Sequence, residues 1–411
     1  MSFLKNKYFL ATALPVLLFL FLYFLPTSLW QTSYILGANS TTTPVEIKVA
    51  TTTPVIPEVA HIKTPEAVKA IYMTSCVVGT PSFRQKLVDL IKTTELNSVI
   101  IDIKDFSGTL SYKPTDPTLV HAWEGSRCGT RDMKDFVASL HKDNIYVIGR
   151  VTVFQDPHFV KLHPELAVKS LATGLPWKDK KGLNFLDVGG KATWEYVVAI
   201  AKDAHSIGFD EINFDYIRFP SDGNMKDAVY TLSSGSKADQ LEKFFIYLSA
   251  EMKKENIITS ADLFGMTTTN NDDLNIGQVL ERTLTYFDYV APMVYPSHYP
   301  VGFNNWKNPN DQTYNLIYFV LKRGAERAMA TTTAVKTLTN ERIGTSTPAI
   351  YTHVAVDKNK IRAWLQDFDY GGNYGPIEVR NQIKATYDAG LNSWMLWAPS
   401  NIYTKEALNQ N

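Results

Sequence analysis

Residues 211–220 read Glu211-Ile-Asn-Phe-Asp-Tyr-Ile-Arg-Phe-Pro220. Ile212, Phe214 and Tyr216 alternate with Glu211, Asn213 and Asp215, the period of two that marks a β-strand. The two sets have different needs: one is apolar, the other carries two carboxylates. A strand of a barrel is covered on both faces, so the polar set is expected to point into the barrel and the apolar set toward helices. Asp215 falls near the C-terminal end of this strand, where barrel active sites sit. Arg218 and Pro220 follow in the loop.

Working outward, seven more runs rich in Val, Ile, Tyr and Phe read as strands. They are Val68–Val78, Ser98–Asp105, Tyr146–Phe154, Ile258–Gly265, Tyr289–Pro296, Ile361–Phe368 and Ser393–Ser400. Helical patterns separate them. Ser82–Thr93, Leu241–Glu255 and Glu378–Ala389 are three, and Trp194, Val197, Val198 and Ala201 mark the apolar face of another. Eight strands interleaved with helices predict an α/β protein, a (β/α)8 TIM barrel, over residues 67–405. An open doubly wound sheet is the rival, but no GxGxxG follows the first strand. Residues 330–360 are Thr-rich and weakly periodic, and read as an insertion before the seventh strand.

The N-terminal part has a different composition. Lys5 and Lys7 precede an uncharged run from Tyr8 to Trp30. As a helix this run measures roughly 34 Å, enough to cross a bilayer core. Residues 1–30 are therefore expected to form a transmembrane helix, a signal-anchor, or a signal sequence cleaved near Gly37-Ala38. The leading lysines keep the N-terminus inside and place the rest of the chain outside the cytoplasm. Thr-Thr-Thr-Pro-Val occurs at Thr41–Val45 and again at Thr51–Val55. Such sequence buries too little apolar area to fold, so residues 31–66 read as an extended, disordered stalk. Lys+Arg and Asp+Glu both number 41, which leaves no basic excess for a nucleic-acid partner. Cys76 and Cys128 are the two cysteines; they either bridge in an oxidising compartment or remain buried thiols.

Strand parity brings further polar groups inward. Asp102 and Lys104 share a face of the second strand, and Asp105 ends it. Arg150 and Thr152 share a face of the third, Ser260 and Asp262 of the fifth, Met293 and Tyr295 of the sixth. Charges inside a barrel must be paired, so a mixed-sign network opening at the top is expected. Glycoside hydrolysis uses such a set: one carboxyl donates a proton and the other acts as nucleophile or base. Asp215 and Asp262 end adjacent strands and are the candidate catalytic pair. An arginine beside Asp215, either Arg150 or Arg218, suits the nucleophile or base, and the drier neighbourhood of Phe264 and Met266 suits Asp262 as the acid. Asp102, Asp105, Arg150 and Arg218 are expected to bind or shape. Tyr295, Trp306, Trp394 and Trp397 are candidate sugar platforms. No cofactor is required, and no HExxH, GxSxG or GxxxxGK[ST] motif appears.

Asp102-Ile-Lys-Asp105 with Gly108 and Tyr112, Asn213-Phe-Asp-Tyr-Ile-Arg-Phe-Pro220, Ser260-Ala-Asp-Leu-Phe-Gly265, Ala291-Pro-Met-Val-Tyr-Pro296 and Trp364-Leu-Gln-Asp-Phe368 form a set. Together they resemble the putative glycoside hydrolase domain family of bacterial TIM-barrel proteins, related to the α-amylase and chitinase-like barrels. The resemblance spans roughly Ala67 to Thr404 and implies the barrel and a glycosidase acting on extracellular or cell-envelope polysaccharide. Two positions depart from the relatives. The chitinase-type fourth strand runs on to a Glu two residues after its last Asp, where Ile217 stands here. The α-amylase-type layout has an acid/base Glu after the fifth strand, where the carboxylate here is Asp262. These departures keep a second function open: a carbohydrate-binding barrel without turnover, serving envelope organisation.

Overall fold

The computed structural model describes residues 59–124, 126–335 and 349–410. The expected anchor, residues 1–30, and residues 31–58 of the expected stalk lie outside the described residues. Among those described, no helix is long and apolar enough to cross a membrane.

Eight parallel strands close into a barrel. They are β1 (Lys69–Met73), β2 (Ser98–Lys104), β3 (Tyr146–Thr152), β4 (Glu211–Asp215), β5 (Ile258–Phe264), β6 (Tyr289–Met293), β7 (Ala363–Gln366) and β8 (Trp394–Trp397). β8 returns to β1 in the register Lys69↔Trp394, Ala70↔Met395, Ile71↔Leu396. Among the described residues, a major helix fills each of the seven connections. These are α1 (Pro81–Lys92), α2 (Met133–Lys142), α3 (Lys191–Ser206), α4 (Lys237–Lys254), α5 (Leu280–Tyr286), α6 (Thr313–Met329) and α7 (Pro376–Asp388). Their starts follow local chemistry. Proline occupies the first turn of α1 and α7, where its missing N–H is no loss. Ser236 caps α4 by accepting the Asp239 N–H. After β8 the chain runs down to the floor, where Gln410 bridges Thr94 and the Asn409 N–H donates to Glu95.

Parity divides the core into two layers. Ile71, Val99, Val147, Ile212, Phe214, Leu263, Leu365 and Leu396 face the helices and pack on residues such as Leu87, Leu140, Val197, Phe244 and Ile383. Ala70, Tyr72, Ile100, Tyr146, Ile148, Ala291, Trp364 and Met395 fill the interior. The floor carries one buried ion pair, Arg362 with Glu211 at 2.7 Å, to which the Tyr146 hydroxyl donates at 3.0 Å. The described end of the expected stalk lies against this floor: the Ile62 N–H donates to Asp210, and Thr64 meets the Tyr146 hydroxyl.

The strands are shorter than expected, and three departures bear on the site. β1 stops at Met73, because Thr74 accepts the Val77 N–H and caps a single helical turn, Ser75–Val78. β4 stops at Asp215, because Tyr216 takes a positive φ of 50° and turns the chain away. In β2 a bulge falls between Asp102 and Lys104, which sets Lys104 opposite Val151. Val151 faces the helices, so Lys104 does too. It does not share the inward face of Asp102; it pairs with Asp156 at 2.6 Å and lies over the Tyr196 ring. The expected insertion begins and ends in a small antiparallel ribbon, Thr332–Val335 with Ala349–Thr352. Residues 336–348 lie outside the described residues.

Cys76 and Cys128 are bridged, with 4.5 Å between their Cα atoms. The bridge joins the helical turn after β1 to the loop between β2 and β3. It closes a loop of 52 residues, for which chain entropy gives about 4 kcal/mol. Reductant should therefore lower the unfolding free energy of the protein by a few kcal/mol in urea titrations. A change below about 1 kcal/mol would mean that the bridge constrains little.

Candidate active site

Arg150, projecting inward from β3, organises the top of the barrel. Its Nη1 donates to Asp102 Oδ1 on β2 at 2.6 Å, and its Nη2 donates to Asp215 Oδ2 on β4. Its Nε lies 3.9 Å from Asp262 Oδ2 on β5. One guanidinium thus gathers three strand-end carboxyl groups. Sharing it brings Asp215 and Asp262 to the same end of the barrel, facing the same space. Register explains the convergence: Asp102 sits beside Arg150, and Arg150 beside Asn213, two residues before Asp215. Tyr72 on β1 donates its hydroxyl to Asp102 Oδ2. Tyr72 also stacks on Trp397 of β8 at 4.1 Å, and Trp397 lies 5.3 Å from the Arg150 guanidinium carbon.

The two carboxyl groups of the predicted pair live differently. Asp215 accepts the Tyr216 main-chain N–H at 2.6 Å on one oxygen and the Arg150 Nη2–H on the other. A cation and an amide dipole both point at it, the setting of a carboxylate that attacks or accepts a proton. Asp262 is 2% exposed. Its Oδ1 accepts from Asn213 Nδ2 at 2.9 Å and from Trp364 Nε1 at 2.8 Å. Burial, seconded by the Asp215 charge, pushes its pKa up to about 8 against the pull of Arg150 and the two hydrogen bonds. It therefore holds a proton at neutral pH, which fits an acid. Burial likewise raises Asp102, to about 6, although Arg150 and Tyr72 oppose it.

Two pockets open at this face. An inner one of about 510 Å³ is walled by Asp215, Asp262, Tyr295 and Trp364, and an outer cleft of about 1190 Å³ by Tyr72, Asp102, Asp105 and the Cys76–Cys128 bridge. Arg150, Lys181, Tyr216, Arg218 and Trp397 line both. Asp102, Asp105, Arg150, Arg218, Tyr295 and Trp397 all border this space, though in different ways. Asp105 is held at the cleft rim by Ser75 Oγ at 2.7 Å and the Ser107 N–H at 2.8 Å. Tyr295 is buried in the wall, edge-on to Phe368. Arg218 pairs with no carboxylate among the described residues, so Arg150, and not Arg218, is the partner of Asp215.

Two candidate platforms are corrected. Trp394 is fully buried among the helix-facing residues and donates to the Tyr387 hydroxyl. Trp306 packs against Phe303 and Phe319, away from both pockets. Tyr72 and Trp364 belong to the site and were not singled out. Both have the inward parity, so alternation could have found them. Tyr216, expected to face the helices with Ile212 and Phe214, instead lines both pockets, because its positive φ breaks the alternation; Lys181 carries no comparable signal.

A family model described as "Putative glycosyl hydrolase domain" matches residues 70–403. Among solved structures, a hypothetical protein from Ruminiclostridium thermocellum ATCC 27405 is 35% identical, with a TM-score of 0.42, over 47% of this chain and 96% of its own. The PgaB (BpsB) glycoside hydrolase domain from Bordetella bronchiseptica aligns with a TM-score of 0.52 at 13% identity, over 82% of this chain and 94% of that one. That likeness is one of fold. The α-galactosidase TtGalA from Thermus thermophilus, solved with p-nitrophenyl α-D-galactopyranoside, aligns with a TM-score of 0.47 at 11% identity, over 84% of this chain and 60% of its own. No curated protein matches the chain.

Proposed function

The chain belongs to the Putative glycosyl hydrolase domain family, and from that membership we propose that it is a glycosidase that cleaves extracellular or cell-envelope polysaccharide through Asp215 and Asp262. The observation that carries this reading is the division of labour around Arg150. One carboxylate meets the guanidinium directly, while its neighbour is dry enough to keep a proton at neutral pH. Asp262 gives that proton to the leaving oxygen, and Asp215 attacks the anomeric carbon or activates the water that does. Tyr72, Trp397 and Tyr295 offer ring faces or edges along the sugar path. The chemistry needs no cofactor.

The reading extends to location and organisation. The Tyr8–Trp30 run supports membrane attachment by residues 1–30, with the part of the Thr/Pro-rich segment before residue 59 as a spacer and the barrel outside the cytoplasm. The Cys76–Cys128 bridge supports an oxidising surrounding independently of that run. The second reading, a glycan-binding barrel without turnover, draws on one observation: the Asp215 carboxylate is already engaged by Arg150.

A panel of polysaccharides and aryl glycosides incubated with the full chain, and with Asp215→Asn beside it, separates the two. Turnover that is lost in the variant supports the glycosidase, and the anomer of the first product then tells retention from inversion. Glycan binding that survives Asp215→Asn, with no hydrolysis of any substrate, supports the binding protein.

A further inference from the structure

Arg150, Arg327 and Arg362 are buried arginines, and each is paired with a carboxylate. Arg218 is nearly as buried, at 7% exposed, and has no ion pair among the described residues. Its Nη1 donates to the Phe219 carbonyl at 3.0 Å and to the Ser221 hydroxyl at 3.2 Å. The rings of Tyr216 and Phe264 lie 4.8 and 4.7 Å from its guanidinium carbon. Among the described residues no carboxylate comes within 4.0 Å of it, and its Nε and Nη2 find no acceptor. Asp215, Asp222 and Asp179 act on it from further away. A buried cation without a counter-ion is costly, so its persistence needs a reason.

Position supplies one. Arg218 lines both pockets at their common wall, and so does Lys181, an exposed cation with no ion pair among the described residues. The inner pocket sets Arg150, Lys181 and Arg218 against Asp215 and Asp262, so cations outnumber carboxyl groups there, while the outer cleft carries equal numbers of both. The unused Nε and Nη2 of Arg218 lie on one edge of the guanidinium plane, the edge that takes two oxygens of one anion side by side.

We propose that Arg218, seconded by Lys181, binds an anionic substituent of the substrate, a carboxylate or phosphoryl group on the sugar unit that spans the junction of the two pockets. This rests on the glycan-cleaving reading of the site and narrows it to acidic glycans. A neutral sugar would leave the guanidinium unpaired, whereas a uronate or a sugar phosphate supplies the missing counter-ion.

The test is an array of matched neutral, uronate-bearing and phosphate-bearing oligosaccharides, probed with the full chain carrying Asp215→Asn so that bound glycans are not consumed. Acidic glycans should be retained over their neutral counterparts, and the kind of acidic glycan retained identifies the anion. Adding Arg218→Gln should weaken the best of them by about 10–100-fold, the loss of a charge-assisted fork. Arg218→Lys should cost less, and Lys181→Gln about threefold. If Arg218→Gln fails to fold, the exposed Lys181→Gln and added salt must still shrink the acidic preference. Retention of neutral glycans alone, retention of none, or an acidic preference that no substitution alters would overturn the proposal. Hydrolysis of neutral glycans alone removes this inference and leaves the glycosidase. Acidic binding without any hydrolysis does the reverse.

Discussion

In Asp262→Asn, kcat/KM on unactivated glycans is expected to fall by about 10²–10⁴-fold, the usual contribution of a positioned acid. The loss should be much smaller on aryl glycosides whose leaving group needs no proton. The pH profile gives the sharper check. Burial first, and the Asp215 charge second, push the Asp262 carboxyl up to about 8. An acid works only while protonated, so wild-type kcat/KM should decline above about pH 8. That basic limb should be missing from the residual activity of the variant. The proton also has a consequence for folding. An unfolded Asp ionises near about pH 4. Between there and about 8 the native state keeps a proton that the unfolded chain has lost. The contribution of Asp262 to stability therefore falls as pH rises through that window, and Asp262→Asn should flatten the stability curve across it. A basic limb unchanged in the variant would remove Asp262 from the acid role.

Arg150→Met should lower the unfolding free energy by about 3–5 kcal/mol, the cost of breaking a buried ion pair from one side. The methionine approximates the stem of the side chain but leaves Asp102 and Asp215 facing each other in the barrel interior without their cation. Urea titrations at pH 7.5 and pH 5 test the cause as well as the size. Carboxyl groups that can take up protons no longer need the guanidinium, and burial already lifts Asp102 to about 6. The loss should therefore shrink at pH 5. An additional Asp102→Asn should restore part of the stability without restoring turnover. A loss below about 1 kcal/mol, or one equal at both pH values, would mean that Arg150 fills space and does not balance charge.

The barrel was legible because each strand states its own parity. Ile212 and Phe214 against Asn213 and Asp215 told inside from outside with no knowledge of neighbours, and the eight strands stand where such runs occur. The site was legible to the same extent. Asp102, Arg150, Asp215 and Asp262 could each be placed inward on its own strand. Which of them would meet could not, since the Arg150–Asp102 and Arg150–Asp215 contacts depend on register across three strands. Reading failed where local geometry interrupts parity. The β2 bulge turns Lys104 outward, and the capped turn at Thr74 ends β1 early. The Trp394 error had a different source. Trp394 and Trp397 are three residues apart on one strand and so face opposite ways, a fact the sequence already contained.

Tyr216 has a consequence for how this protein responds to selection. A tyrosine at φ 50° occupies a backbone region that suits glycine, at a cost of order 1–2 kcal/mol. Glycine there would relax the turn, yet it would remove the ring that covers one face of Arg218 and walls both pockets. Stability and function pull this position in opposite directions. In a population of variants selected for heat resistance alone, residue 216 is one place where the barrel has room to become sturdier, and doing so would erase part of what its mouth can recognise.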